Sequence, residues 1–590
     1  VAALVERESS GRGQSVTVGG AHGAMVAFAA GLEIDAGAAP QARGGDGGGR
    51  VPFYRTYRCA DGEWLFLAAL TPRFSELAFT ALGVDDMYDD PRLGGRGRAG
   101  MIDADNLGWV TDRVAAAFAT ATRSEWLSRL HDAGCPAGPI LDRSEWLDEP
   151  QLAAIGIRVE VDDPVRGRVV MPGNPLVLHE TPAQVRASAP DPAVVDVSGW
   201  TEPPWDLPSS ADRASADGVG PLGDVRVLDL GAVIAGPYAG SLLAELGADV
   251  VKVEPPTGDS FRGPGFSAYN KGQRSIAVDL RHPDGRAVLL ALARDADVVI
   301  DNYRPGVLGR LGLDIDALSE VNPSIVSLST TGFGDRGPLG QEAGFDPVLQ
   351  AMSGMMRAQG GADAPVFFSV PVNDVTTAAT AALGASAAVL HARRTGRGQK
   401  VTSSLAAVSA LVQSAEIVRF AGRPEAPVGG ADHRGPTALD RLYPVADGWI
   451  RVLEPGASAE RLDVPGLADV DEEGVTAWLR DRTRDDAVST LTSVGVRVLP
   501  VRDPIELLDD AEALEHQLVR PDPREGREGR FTAGRFALFE RTPTRPTGPA
   551  PRLGEHTVEL LGEAGYGGDD TARLVDSGTV VTPPERPPSA

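Results

Sequence analysis

The stretch "VRVLDLGAVIAGPYAGSLLAELGADVVKVE", residues 225–254, reads as strand, turn, helix and second strand in close succession. "VRVLDL" (225–230) is the near-continuous apolar run of a parallel strand buried on both faces. "AGPYAGSLLAELG" then places Pro237 in a first helical turn, where its missing N–H is no loss, and Gly247 at the C-terminal stop. "DVVKVE" (249–254) is the next strand. The alternation continues through "SIAVDL" (275–280), "DVVID" (297–301) and "SIVSLST" (324–330), with helical runs such as "DGRAVLLALARDA" between them. Strands alternating with helices predict an α/β fold, a doubly wound Rossmann-like parallel sheet that binds ligands at the carboxyl ends of its strands. "GFGDRG" (332–337) fits G-x-G-x-x-G after a strand, but Pro338 follows and no helix opens there. A dinucleotide site needs that helix N-terminus, so a glycine-rich turn is the better reading.

Working outward, the chain contains one half twice. "SGRGQSVTV" (10–18) matches "TGRGQKVTS" (395–403) at an offset of 385, and "YRCADGEWLFL" (57–67) matches "YPVADGWIRVL" (443–453) at 386. "GCPAGPILD" (134–142) answers "GVRVLPVRD" (495–503), and "GNPLVLHETP" (173–182) answers "GRFALFERTP" (534–543), both at 361. Ordered blocks at near-constant offsets, separated by one net deletion of about 25 residues, mark an internal duplication. Residues 1–206 are therefore expected to be the later half of a first unit, with a small domain at about 40–170. The Ser/Ala/Asp/Gly/Pro-rich 207–222 reads as a linker. Residues 223–578 form a complete second unit: a Rossmann-like part at 223–405, a small domain at about 430–540 and a return segment at about 545–578. Residues 579–590 are expected to be a disordered tail. Either the chain is a piece of a longer tandem, or its first unit has lost its front.

Composition bounds the function. At 590 residues several domains are expected. A net charge of −26 argues against nucleic acid or an anionic membrane as partner. Cys59 and Cys135 form no disulfide framework or zinc spacing, which fits a cytoplasmic protein, and eight scattered histidines give no metal site. The uncharged stretch Val375–Leu390 is too short and weakly apolar to span a bilayer and reads as a buried helix. "SVPVNDVTTAATAALG" (369–384) sets one carboxylate, Asp374, where that helix begins. It is there either as a helix cap or as a nucleophile.

The order of "RVLDLGAVIAGPYAGSLLAELGADVVKVEPPTGD", "NKGQRSIAVDLR", "DNYRPGVLGRLGL", "GFDPVLQAMSG", "PVND", "TGRGQKV" and "PRLGEHTVELL" resembles the class III CoA-transferases of CaiB/BaiF type. That family includes formyl-CoA transferase, carnitine CoA-transferase and alpha-methylacyl-CoA racemase. Residues 1–206 resemble its later half, without an "LGEH" element. The resemblance implies the family's fold, with a Rossmann-like sheet, a smaller α+β domain and interlocked subunits, here a homodimer or an intramolecular pseudo-dimer. It implies transfer of CoA from an acyl-CoA to a carboxylic acid, with CoA as substrate and no tightly bound cofactor. Asp374 matches the catalytic aspartate.

By the same resemblance Val278, Arg281, Asn302, Tyr303 and Arg310 are expected to contact CoA, while Pro255 stands where a basic contact is common. Phe345 occupies the position of the racemases' acid/base histidine and disfavours racemisation, since Phe cannot carry a proton. Phe345 and Asp346, with Gly429 and Gly430 of the loop "VGGADHRG" (428–435) and the similar loop "RGGDGGGR" (43–50), are expected at the active-site wall. For Asp346 a turn or helix cap is an equal reading. A tandem CoA-transferase/lyase acting on a small zwitterionic acid, and a non-catalytic acyl-CoA-binding protein, are the alternatives. The half-unit is expected to pack on the second unit as a partner subunit would.

Overall fold

A computed structural model describes residues 1–35, 49–95, 99–185, 220–262, 264–430, 433–454, 464–467, 469–522, 529–544 and 548–583. Its centre is the sheet announced by residues 225–254. Six strands, β1 (Arg226–Asp229), β2 (Asp249–Glu254), β3 (Arg274–Val278), β4 (Val298–Asp301), β5 (Val326–Thr331) and β6 (Lys400–Ser404), pair in the order β3-β2-β1-β4-β5-β6, all parallel. This is the doubly wound Rossmann order, with its reversal between β1 and β4. Leu228, Val251, Ile276 and Val299 are fully buried on one face. Helix α1 (Ala235–Glu245), every residue of which is buried, covers the other face together with the long helix α3 (Val372–Thr395); helix α2 (Asp346–Met352) precedes α3.

The uncharged run 375–390 belongs to a helix of 24 residues, an 18-residue window of which has a mean hydropathy of 1.3, long and apolar enough to cross a membrane by length and composition. Its apolar face is used inside the molecule, where Val375, Ala378, Ala381, Ala385 and Val389 pack on α1 and the sheet.

Two short strands complete the sheet, and each corrects or extends the sequence reading. Val580–Val581 pairs antiparallel with β3, so the tail expected from residue 579 starts later; Thr579 and Val580 are buried. Residues 584–590 lie outside the described part, as do 207–219 of the expected linker, whose last residue, Leu222, is already core. At the far edge, Val177–Leu178 of the first unit pairs antiparallel with β6.

The reciprocal pairing also exists: Val16–Thr17 of the first unit pairs with Leu538–Phe539 of the second. Val16 opposes Phe539 as Val401 opposes Leu178, so the two ladders are related by the same offsets of 385 and 361 found in the sequence. Each unit lends a strand to the other.

The repeated "GRGQ" explains itself here. Gly396 ends α3 in the left-handed region at φ 71°, and a Cβ on Gly398 would sit 1.8 Å from the Ile325 carbonyl oxygen. Gln399 Oε1 then accepts from the Glu180 N–H at 3.0 Å, while Gln14 Oε1 accepts from the Arg541 N–H at 3.2 Å. The glutamine of each unit fastens the strand lent by the other.

Each unit carries a three-stranded antiparallel sheet: Tyr54–Arg58, Trp64–Ala68 and Ala137–Pro139 in the first, Asp440–Val445, Gly448–Leu453 and Val498–Val501 in the second. Tyr57 opposes Leu65 and Tyr443 opposes Ile450. The first hairpin's turn is thus one residue longer, and Trp64 matches Trp449, correcting the ungapped match beyond Gly62. The helix Arg123–Asp132 opens with the capping box its sequence predicts, Thr122 and Glu125 bonding reciprocally. Phe66, Trp146, Leu152 and Ile155 of the first unit share one core with Val348, Leu349, Met352 and Leu405 of the second.

Candidate active site

A cleft of about 330 Å³ opens where the strand order reverses. Ala232, Val233, Ile234 and Ala235 after β1, Asn302, Tyr303, Arg304 and Pro305 after β4, and Thr330, Thr331 and Gly332 at the end of β5 form its walls. Phe345, Asp374 and Leu405 close it from the second unit, and Phe74 from the first. This is the position the doubly wound topology assigns to a ligand.

Asp374 lies in the first turn of α3, but it is not the cap. Among the described residues none donates a hydrogen bond to its carboxylate, and no side chain of the N-cap residue, Pro371, bonds the helix. The cap comes from the neighbouring helix. Asp346 Oδ1 accepts from the Asn373 N–H at 2.7 Å and from the Asp374 N–H at 3.4 Å, while Oδ2 accepts from Gln350 Nε2 at 2.6 Å. Gln350 is fixed in turn by the Phe368 carbonyl at 2.9 Å and the Phe368 N–H at 3.1 Å. The two aspartates thus divide the roles that the sequence left open for each: Asp346 satisfies the helix end and leaves Asp374 free to face the cleft.

Burial dominates both carboxyl groups. It pushes the Asp346 pKa up to about 7 against the pull of its N–H donors. Asp374 is held well above the ordinary carboxylate range, first by burial and then by the Asp346 charge, with no donor to offset either. The same pair raises the pKa of Tyr54, whose phenol from the first unit is buried above α2; burial is the larger cause there. The Tyr54 ring meets Phe66 and Phe367 edge-on at 5.3 and 5.8 Å, and Phe74 meets Phe345 at 6.0 Å.

The residues expected to contact CoA separate into two groups. Asn302 and Tyr303 line the cleft with Asp374. Tyr303 is largely buried, which raises its pKa to about 12. Val278 does not line the cleft: it is 1% exposed, inside the core between β3 and the helix Pro283–Ala293. Arg281 also lies elsewhere, its side chain 82% exposed and paired with Asp279 at 2.9 Å, and Arg310 is exposed on the short helix Val307–Leu311. The arginine that does line the cleft is Arg304.

Phe345 and Asp346 stand at and behind the wall. Gly429 and Gly430 do not line the cleft; the Gly429 N–H donates to the Ala358 carbonyl at 2.6 Å, and the loop lies on the turn after Met355–Gly360. Most of the loop 43–50 lies outside the described residues. Sequence reasoning missed Gln350, Arg304, Phe74 and Tyr54. Only "PFYRTY" carried a signal for the last, as an aromatic pattern in a strand already matched to the second unit.

The "GFGDRG" turn opens no helix. Gln151 of the first unit clamps it, donating to the Phe333 and Arg336 carbonyls at 2.6 and 2.7 Å. A larger cleft, about 550 Å³, lies between residues 142–144 and 416–428. Its arginines are already bound, Arg419 to Asp148 at 2.6 Å and Arg143 to the Ala426 and Pro427 carbonyls.

With the geometry in place, comparison with known proteins identifies the family. Residues 1–193 and 222–557 match the family model of CoA-transferase family III. The chain is 33% identical over 386 residues to the succinate–glutarate CoA-transferase of Agrobacterium fabrum, covering 58% of this chain and 95% of that one. It is 26% identical over 593 residues to the CoA-transferase/lyase DddD of a Marinomonas species, covering 90% of this chain and 69% of that one. A crystal structure of a CAIB/BAIF family protein from Brucella suis superposes with a TM-score of 0.50 at 26% identity, over 58% of this chain and 99% of that one. Duplicated sequence, doubly wound sheet and family match agree: the chain belongs to CoA-transferase family III.

Proposed function

We propose that the protein moves CoA from an acyl-CoA to a carboxylic acid by covalent catalysis at Asp374. One observation carries this reading. Two carboxylates line the cleft, Glu342 and Asp374; Glu342 is exposed, whereas Asp374 is partly buried in the first turn of α3 with no hydrogen-bond donor of its own among the described residues, because Asp346 does the capping. Ionised Asp374 attacks the acyl-CoA carbonyl; the C–S bond breaks and CoA thiolate leaves an aspartyl anhydride. The thiolate attacks the aspartyl carbonyl, releasing the donor acid and leaving an enzyme-bound CoA thioester. The acceptor carboxylate attacks that thioester and expels thiolate, which then attacks the acyl carbonyl of the new anhydride and frees both Asp374 and the new acyl-CoA. Each addition builds an oxyanion, and the first-turn N–H groups of α1, which no side chain caps, are the backbone donors beside the cleft. Asn302, Tyr303 and Arg304 take the CoA side, with Arg304 supplying the positive charge expected of Arg281 and Arg310.

The first unit acts as the partner half of an intramolecular pseudo-dimer. The reciprocal strand exchange and the cleft wall supplied by Phe74 support this. Two buried free cysteines, Cys59 and Cys135, fit a cytoplasmic setting. Incubation with acyl-CoA and hydroxylamine tests the chemistry: mass spectrometry should find a hydroxamate at Asp374. Tight CoA binding with Asp374 unmodified would make the protein a binder instead. Likeness to a CoA-transferase/lyase over 90% of the chain favours one second reading, a tandem that also cleaves a small zwitterionic acid. An elimination product formed from the acid and acyl-CoA would establish it.

Two further results are expected. Phe345 has no proton to give, so no exchange of the acyl α-proton should occur in deuterated water; wash-in at the rate of transfer would revive the racemase. Asp346→Asn removes one of the two causes that raise the Asp374 pKa. Attack needs ionised Asp374, so activity is lost as pH falls through its raised value, and lowering that value extends activity downward. The acid limb of kcat/KM should move to lower pH in Asp346→Asn. A limb that stays or moves up contradicts the pairing of these carboxylates.

A further inference from the structure

The wall that residues 232–235 give to the Asp374 cleft contains an unfavourable backbone. Val233 has φ +68°, a left-handed conformation that is uncommon for any residue with a side chain and a genuine outlier for a β-branched one. Among the described residues only Gln517 shares a positive φ without being glycine. Such conformations persist only where the surroundings over-determine them, and they cluster at functional sites.

Four side chains hold this segment through five hydrogen bonds. The Gly231 N–H donates to Asp229 Oδ1 at 2.8 Å, and the Gly231 carbonyl accepts from Lys252 Nζ. Asn302 grips Ala232 twice, accepting from its N–H at 2.8 Å and donating to its carbonyl at 2.6 Å. The Val233 N–H donates to Asp259 Oδ2 at 3.2 Å.

The organising group is Lys252. It is 0% exposed, its ammonium 3.6 Å from Asp229 Oδ2 and 3.7 Å from Asp259 Oδ2. The carboxylates fastening the two ends of the left-handed turn are thus bridged by one buried cation. Without it they would be two buried, uncompensated charges. The chain has three lysines, at 252, 271 and 400, and otherwise uses arginine. At 252 the compact ammonium fits where a planar guanidinium fork would have to displace Asp229, Asp259 or the Gly231 carbonyl. Arg262 is close enough to pair with Glu254 but leaves Asp259 to Lys252.

We propose that Lys252 is a positioning residue for the transfer reaction: by bridging Asp229 and Asp259 it locks residues 231–234 in the left-handed turn that forms a wall of the cleft Asp374 also lines. Lys252 touches no substrate, and its effect passes through Val233 and the start of α1. This rests on the assignment of the Asp374 cleft as the active site.

The test is a double-mutant cycle in the full chain. Lys252→Met keeps the length and removes the charge. It should lower kcat by roughly 10-fold or more while KM for acyl-CoA changes less than about 3-fold, because misplacement of the wall disturbs the reacting geometry directly. Among the described residues Tyr303 and Arg304 have no hydrogen bond to residues 231–234, and only Asn302 is shared between the wall and the CoA side. Glycine adopts positive φ without strain, so in a Val233→Gly background the same Lys252→Met change should cost only a small part of that factor. Non-additivity of this kind reports coupling between the two positions. Equal losses in both backgrounds, or a loss confined to KM, would overturn the proposal. If Lys252→Met does not fold, Asp259→Ala, which removes the acceptor of the Val233 N–H, runs the same cycle with the same criterion. Labelling of Asp374 by hydroxylamine in the unmutated chain reports separately on the assignment of the active site. A chain that labels normally but shows no coupling refutes the lock alone.

Discussion

Asp374→Asn is expected to reduce CoA transfer by at least ~10⁴-fold, the order seen when a covalent nucleophile is removed, with CoA affinity kept within several-fold. The same variant should be at least as stable as the parent at neutral pH, and this separates the nucleophile from a cap. A helix cap stabilises, so its loss costs ~1 kcal/mol. Asp374 does the opposite. Its folded pKa is raised by burial and by Asp346, so its contribution to stability is fully present below the ordinary carboxylate value. That contribution is lost as pH rises through the raised value. An uncharged Asn avoids that loss, and the thermal midpoint of the variant should equal or exceed that of the parent above that range. Asp346→Ala should show the reverse stability effect, since it strips acceptors from the Asn373 and Asp374 N–H groups. If Asp374→Asn melts markedly lower while retaining transfer, Asp374 is structural and the mechanism fails.

What the sequence made legible follows from the range of the forces involved. Local signals were sufficient for the sheet: apolar runs at 225–230, 249–254 and 297–301, Pro237 in a first turn, and Gly247 as a stop. The repeat was legible too, because its offsets of 385 and 361 are a property of order alone. The offsets even contain the strand exchange, since Gln14 and Gln399 sit at equivalent places.

Long-range roles were less accessible. That Asp346 caps a helix beginning 26 residues later depends on α2 and α3 meeting end to end, which no window around either residue reveals. Arg281 and Arg310 occupy the right motifs yet point to solvent or to Asp279, whereas Arg304, two residues from Asn302, faces the cleft. Lys252 is one of three lysines in the chain, and its place between two buried carboxylates is visible only in the fold. Tail and linker ends were misplaced because single residues, Val580 and Leu222, were enough to anchor them.

The other large effect concerns the half-unit. Deleting residues 1–206 should cut turnover and solubility sharply although Asp374, Asp346, Asn302 and Arg304 all remain. The deletion takes away the Val177–Leu178 strand from the edge of β6, the Gln151 clamp on the 333–339 turn and the Phe74 wall of the cleft. It also uncovers Val348, Leu349 and Met352 on α2, now 2%, 0% and 8% exposed. An apolar face and an unpaired β6 edge together invite aggregation.

Loss of solubility alone could hide the catalytic contribution, so a point variant is the sharper test. Gly138 lies where the first unit's small sheet packs on α2; a Cβ there would meet Val348 Cγ1 at 3.0 Å and the Val348 carbonyl at 3.3 Å. Its counterpart in the second unit, at the offset of 361, is Leu499, 56% exposed within this chain. Glycine at 138 is thus the residue that lets the sheet seat on α2. Gly138→Leu forces overpacking of about 1–3 kcal/mol into that contact and should push Phe74 away from the Asp374 cleft. Its expected result is a folded chain with kcat lowered more than the affinity for CoA, since Asn302, Tyr303 and Arg304 are untouched. If residues 207–590 alone, or the Gly138→Leu chain, turn over at the rate of the parent, the first unit contributes nothing to the site and the pseudo-dimer reading is wrong.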